Sequence, residues 1–99
     1  MKSALRLVAC VAALIGTAPA FAQQIHATGC LMPGVEAGCL VLKGSDGTLY
    51  NVTSANPKPD ISQHLAISVT AKKFDGVTMC MQGIALTEIH WTYTKMRCE

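Results

Sequence analysis

The sequence predicts an all-β domain: a small five-stranded barrel of the OB type, held by two disulfides. Three observations predict it. Five short runs have strand-like patterns, Gly, Pro and Asp-Gly signals separate them, and four cysteines follow an export signal. The order of three runs, an irregular link and two more runs is typical of an OB-fold, and closing the barrel removes exposed edges. A five-stranded open sandwich is the alternative.

Residues 1–22 have the pattern of a secretory signal peptide. Lys2 and Arg6 provide a positive start, residues 7–16 are uncharged and mostly apolar, and Ala20-Phe21-Ala22 is a small-x-small cleavage site. The apolar run is too short to span a bilayer. We therefore expect cleavage after Ala22 and a single domain, residues 23–99, with no membrane segment left.

A lipoprotein signal is the competing interpretation of this region. Leu7-Val8-Ala9-Cys10 resembles a lipoprotein cleavage box, with Cys10 as the lipidated residue. That box leaves only residues 4–9 for the apolar segment, and Arg6 interrupts it. The length that a signal's apolar segment needs favours the soluble exported form.

The chain after the signal carries no net charge. Its six Lys and Arg residues balance its six Asp and Glu residues. This balance excludes the basic footprint of a nucleic-acid-binding domain, so we expect no nucleic-acid partner. A chain of this size forms one small core, which usually needs covalent support.

The first three predicted strands form a meander. Residues 25–32 alternate roughly by twos, residues 33–38 form a Gly- and Pro-containing turn, and residues 39–43 are apolar enough for a second strand. Residues 44–47 hold Asp-Gly, which fits a hairpin turn with positive φ. Residues 48–53 complete the meander.

Residues 54–64 interrupt the strand pattern. Pro57 and Pro59 cannot occupy a central strand. Asp60 followed three residues later by Gln63 resembles a weak helix cap, which predicts a single helical turn.

The last two predicted strands are residues 65–72 and residues 84–94. Clean alternation places four apolar side chains of the first on one face, and we expect Leu65, Ile67 and Val69 of these to line the core, with Leu40 or Val41 among their contacts. These four are Leu65, Ile67, Val69 and Ala71. The final run changes phase after Leu86, which predicts a bulge near Thr87-Glu88.

Four cysteines remain after the signal: Cys30, Cys39, Cys80 and Cys98. In a small exported domain they indicate two disulfides and an oxidising compartment, so we expect a periplasmic or secreted protein. Three pairings are possible. No two of these cysteines have zinc-knuckle spacing, and no Cys-x-x-Cys motif suggests a catalytic thiol.

Two segments carry a family resemblance. Gly34-Val35-Glu36-Ala37-Gly38-Cys39-Leu40-Val41-Leu42 leads into Leu49-Tyr50-Asn51-Val52, and Thr78-Met79-Cys80-Met81-Gln82-Gly83 follows later. Together they resemble a family of small exported bacterial domains of unknown function with a predicted OB-like barrel. The resemblance spans most of residues 28–91. It implies that Cys39 pairs with Cys80, which leaves Cys30 for Cys98, and it implies no activity.

Few residues in the sequence are candidates for metal binding or catalysis. Met79 and Met81 flank a cysteine, and thioethers with a histidine such as His90 form soft copper sites, although methionine is also a common gap-filler. Glu88 shares a strand face with His90, an arrangement more typical of a solvated pair than of a catalytic dyad.

Three aromatic residues could form a stacking surface for nucleic acid, namely Tyr50, Trp91 and Tyr93. The missing positive groove disfavours that role, and the phase shared with Ile89 favours the core for the last two.

The sequence therefore predicts a non-enzymatic exported module that needs no cofactor and binds a small ligand or a protein partner. Copper binding by Met79, Met81 and His90 is the alternative.

Overall fold

The computed structural model describes residues 24–99. The predicted signal peptide, its cleavage site and Cys10 lie outside the described residues. Over residues 24–99, no helix has the length and apolar character needed to cross a membrane.

Five strands close into a barrel in the order β1-β2-β3-β5-β4, which confirms the predicted five-stranded OB-like architecture. Neighbouring strands are antiparallel except β3 and β5, which are parallel. The elements are β1 (Gln24–Pro33), β2 (Leu40–Gly44), β3 (Leu49–Asn51), a 3-10 turn (Ile61–Gln63), β4 (Leu65–Lys73) and β5 (Ile84–Arg97).

Strand β1 pairs with both β4 and β2, and its pairing partner changes at Gly29. The half before Gly29 pairs with β4 and the half after it pairs with β2, so Gly29 lies opposite both Ile67 and Gly44. A Cβ atom at Gly29 would overlap the carbonyl oxygen of Lys43. Glycine is therefore required by the close approach of the two backbones.

The core lies inside the barrel and largely follows the predicted alternation of β4. Its buried cluster consists of Leu40, Leu42, Val52, Ile67, Val69, Ala71 and Leu86. Leu40 is part of it, whereas Val41 is buried outside it. The prediction for Leu65 is wrong: it is half-buried and outside the cluster. The pairing of β4 with β5 shifts register directly after Leu65, which separates it from the regular part of the strand.

The predicted bulge in β5 is present. Thr70 pairs with His90 and Lys72 pairs with Thr87. Between these pairs, the single β4 residue Ala71 lies opposite two β5 residues, Glu88 and Ile89. Glu88 has a φ of 50°, a conformation that L-residues seldom adopt. The extra residue changes the phase of the strand, so that Ile89 and Trp91 pack against the core cluster, whereas Tyr93, expected on the same side, is 39% exposed.

The link between β3 and β4 contains the expected single turn. Asp60 caps it by accepting a hydrogen bond from the Ser62 N–H at 2.9 Å. The turn ends at His64, whose N–H donates to the Ile61 carbonyl oxygen.

Two disulfides are nested, as the family resemblance implies. Cys30 is bonded to Cys98 and Cys39 to Cys80, each pair with Cα atoms 5.9 Å apart, inside the usual range for a disulfide. They indicate an oxidising, non-cytoplasmic environment.

Candidate binding surface

Two loops of the barrel are joined covalently. Residues 34–39 follow β1 and residues 74–83 follow β4, and we call them the linked loops. The Cys39–Cys80 disulfide connects them, and the Val35 N–H donates a hydrogen bond to Gln82 Oε1 at 2.9 Å. The two loops therefore form one surface, although they are distant in sequence.

Asn51 anchors this surface to the barrel. It is the last residue of β3 and is buried. Its Nδ2 donates to the Cys80 carbonyl oxygen, and its Oδ1 accepts from the Thr53 N–H at 3.0 Å. A buried amide needs such partners, so this side chain fixes the disulfide-bearing part of the loop against the strand.

The linked loops expose an unusual number of large apolar side chains. Val35 is 84% exposed, Val77 95%, Met79 87% and Met81 85%, and Phe74 is 40% exposed. Single exposed apolar residues are ordinary, whereas a cluster of them is typical of interaction sites.

Two open, mainly apolar cavities share Cys80 as a lining residue. The first has a volume of about 310 Å³ and the second about 270 Å³. Residues that line the first include Phe74, Val77, Met79 and Leu86, and those that line the second include Val35, Met81 and Gln82. Cys80 thus contributes to both cavities, and its disulfide partner Cys39 lines the second. Such a surface can bind apolar side chains, and methionine adapts its shape to different contacts.

The three residues proposed as the alternative copper site line three different cavities. Met79 lines the first cavity, Met81 lines the second, and His90 borders a third that lies along β5. Copper binding by this set remains a prediction, and the geometry adds no support for it.

Glu88 has a different partner from the one considered in the sequence. Its carboxylate lies 3.4 Å from the Lys72 ammonium, with both side chains well exposed. The bulge interrupts the regular alternation that would have put Glu88 and His90 on one face. The contact is a solvated cross-strand pair between β4 and β5, which contributes little to stability.

The three aromatic residues make contacts within the domain. Tyr50 and Trp91 pack against the core cluster. The Trp91 and Tyr93 rings meet edge to face, with centroids 4.9 Å apart. Both also hydrogen-bond to the link that follows β3: Trp91 donates to the Pro57 carbonyl oxygen, and Tyr93 accepts from the Asp60 N–H.

Two carboxylates have shifted pKa values, and both belong to turns. Hydrogen bonds from the backbone and side chain of Thr48 lower the pKa of Asp46. Hydrogen bonds from the hydroxyl and backbone N–H of Ser62 lower the pKa of Asp60. The same hydrogen bonds hold the two local turns, and neither carboxylate lines the cavities beside Cys80.

Sequence reasoning identified Met79 and Met81 but overlooked Val35 and Val77. A detectable signal existed, since several large apolar residues occur in two connections that have no strand pattern. Their proximity depends on the Cys39–Cys80 bond and could not be read from either segment alone.

No family model matches the chain, and the searches of curated proteins and of solved structures likewise find no match. Membership in the family that the two segments resemble therefore stays a prediction.

Proposed function

We propose that this protein is a periplasmic or secreted, non-enzymatic module that binds an apolar segment of a protein partner on the linked loops. One observation carries the proposal. Four large apolar side chains, each at least 84% exposed, surround a single disulfide on a surface that is anchored to the barrel. Leaving such groups in water is unfavourable, and a bound apolar segment would cover them.

The position of the surface supports binding. In OB-type barrels, ligands bind to the face formed by the second and third strands and to the loops that join the first strand to the second and the fourth to the fifth. The linked loops are these two connections. The linked loops match the OB-type binding loops only in their position in the fold. Their side chains are apolar, whereas an oligonucleotide or sugar ligand would need charged or polar groups.

The shape of the surface favours a polypeptide over a small molecule. Each cavity lies near or below the lower limit of about 300 Å³ for small-molecule pockets, and both are open to solvent. An extended chain can place one apolar side chain in each cavity and cross over Cys80 between them. The disulfide holds the two cavities at a constant separation, which reduces the ordering cost of binding.

Site-specific photo-crosslinking tests the proposal. A photoreactive amino acid replaces Val77 or Met81 in the exported protein, with Thr92 and Lys95 on β5 as control positions. We expect a discrete adduct with another polypeptide from both loop positions and none from the controls. The crosslinked peptide of the partner, identified by mass spectrometry, should be rich in apolar residues.

A charge variant provides the second arm of the test. Val77→Lys combined with Met79→Lys should remove the adduct formed from Met81 while leaving the thermal unfolding curve unchanged, because both side chains are exposed. Adducts formed equally from the β5 controls would contradict the proposal. An adduct between two copies of this chain would also contradict it, by identifying the surface as a self-association site.

A further inference from the structure

Two of the three histidines lie in one row on the outer face of the barrel. His26 on β1 pairs with Thr70 on β4, and Thr70 pairs with His90 on β5. Directly paired residues point to the same side of a sheet, so the three side chains stand side by side. Both histidines are exposed.

The spacing of this row suits two imidazoles that share one ion. Adjacent strands lie about 4.8 Å apart, so His26 and His90 are separated by roughly 10 Å at the backbone. The His26 ring lies beside Thr70, with Nδ1 3.3 Å from Thr70 Oγ1. Thr70 is small, and an ion above it would meet a hydroxyl instead of an apolar side chain.

The surroundings of the row are compatible with a cation. The next row along the strands consists of the hydroxyl-bearing residues Thr28, Ser68 and Thr92. On the other side of the row β4 carries Lys72, whose ammonium lies 3.4 Å from the Glu88 carboxylate. The charge that would repel a metal ion is therefore compensated locally.

We propose that His26 and His90 together bind a divalent first-row transition metal ion above Thr70, with Cu²⁺ bound most tightly. Imidazole is a suitable ligand for Cu, Zn and Ni, and Cu²⁺ heads the usual affinity order. Both histidines are carried by strands of a closed barrel, which fixes the distance between their backbone positions before a metal ion binds. The site uses nitrogen ligands and neither Met79 nor Met81. It does not rest on the function proposed for the linked loops.

Titration of the purified exported protein with CuCl₂ and with ZnCl₂, followed by calorimetry, tests the site. We expect one ion per chain, with Cu²⁺ bound more tightly than Zn²⁺. His26→Gln and His90→Gln should each weaken Cu²⁺ binding at least about tenfold, since even indirect metal contacts are worth that much. Electron paramagnetic resonance of the Cu²⁺ complex should show coupling to nitrogens that changes in both variants.

His64 provides the matched control, because it lies at the end of the 3-10 turn in a left-handed conformation. His64→Asn keeps a residue type that tolerates this conformation and should leave Cu²⁺ binding unchanged. Loss of binding in His26→Gln but not in His90→Gln would place the metal at the chain start and overturn the two-strand site. Equal affinity in all three variants, or no saturable binding, would also overturn it.

Discussion

Trp91 Nε1 donates a hydrogen bond to the carbonyl oxygen of Pro57 at 2.7 Å, and so joins β5 to the link between β3 and β4. Next to it, the Tyr93 hydroxyl accepts from the Asp60 N–H at 2.9 Å. Strand β3 pairs with β5 through only two residues, Tyr50 and Asn51. Beyond them, the link held by the two aromatic side chains lies against β5.

Trp91→Phe should destabilise the protein by roughly 1 kcal/mol or more, because the smaller ring packs less well against the core cluster and the hydrogen bond to Pro57 is lost. Urea denaturation monitored by circular dichroism measures the change. Tyr93→Phe is the comparison: Tyr93 is 39% exposed, so water can replace its hydroxyl and a smaller loss is expected. A larger loss in Tyr93→Phe would show that the tryptophan contact is not the main attachment of the link.

Val69→Asp should prevent folding, because Val69 is 2% exposed within the core cluster and the substitution would bury an unpaired charge. Ser68→Asp is the matched control, since the neighbouring side chain points outward and is exposed. Circular dichroism and the elution volume of the two variants measure the outcome. Wild-type stability of Val69→Asp would mean that the core face of β4 is assigned to the wrong side.

Removing either disulfide should destabilise the domain strongly. In the chain-entropy model, a loop of the 41-residue separation of Cys39 and Cys80 contributes about 4 kcal/mol, and that of Cys30 and Cys98 slightly more. Paired serine variants in urea denaturation measure both contributions. The Cys39→Ser, Cys80→Ser variant should also lose the photo-crosslinks of the linked loops, because nothing covalent then holds them together.

Peptide mapping without reduction checks the pairing itself. No trypsin site lies between Cys30 and Cys39, so a second cut at Glu36 is needed to separate them. The Cys30 fragment should then remain attached to the Cys98 fragment. Its recovery with Cys39 would contradict the nested arrangement.

Asp60 should make stability depend on pH in the acid range. Hydrogen bonds from Ser62 lower its folded-state pKa below the ordinary value of 3.8. The carboxylate therefore contributes stability that is fully present above the unfolded-state pKa and is lost as the pH falls through the lower folded-state pKa. Asp60→Asn keeps an acceptor for the cap, so its stability should fall less between pH 5 and pH 2 in thermal unfolding. Parallel curves for variant and wild type would contradict this role.

The exported protein should begin at Gln23. The cleavage site at Ala20-Phe21-Ala22 and the interruption of the apolar segment by Arg6 are the reasons. Intact-mass analysis of the exported form measures its start. A lipid adduct on Cys10 would establish the lipoprotein interpretation instead.

Local patterns in the sequence determined most of the strands. The alternation from Ile67 to Ala71 placed the core face of β4 correctly, since successive side chains of a strand must point to opposite sides. Asp46-Gly47 predicted a hairpin, and Gly47 has the positive φ that such a turn needs. The change of phase after Leu86 predicted the bulge. In each case a few neighbouring residues contain all the necessary information.

Only the tertiary structure decided what lies together across the barrel. Three features depend on pairings between distant segments. They are the half-buried position of Leu65, the disulfide Cys39–Cys80 that brings Val35 near Val77 and Met81, and the row that contains His26 and His90. The register of two strands is set by the packing of the whole core, because a shift of one residue would turn every side chain to the other face. No local sequence pattern determines the register between strands, so the candidate surfaces could be identified only from the closed barrel.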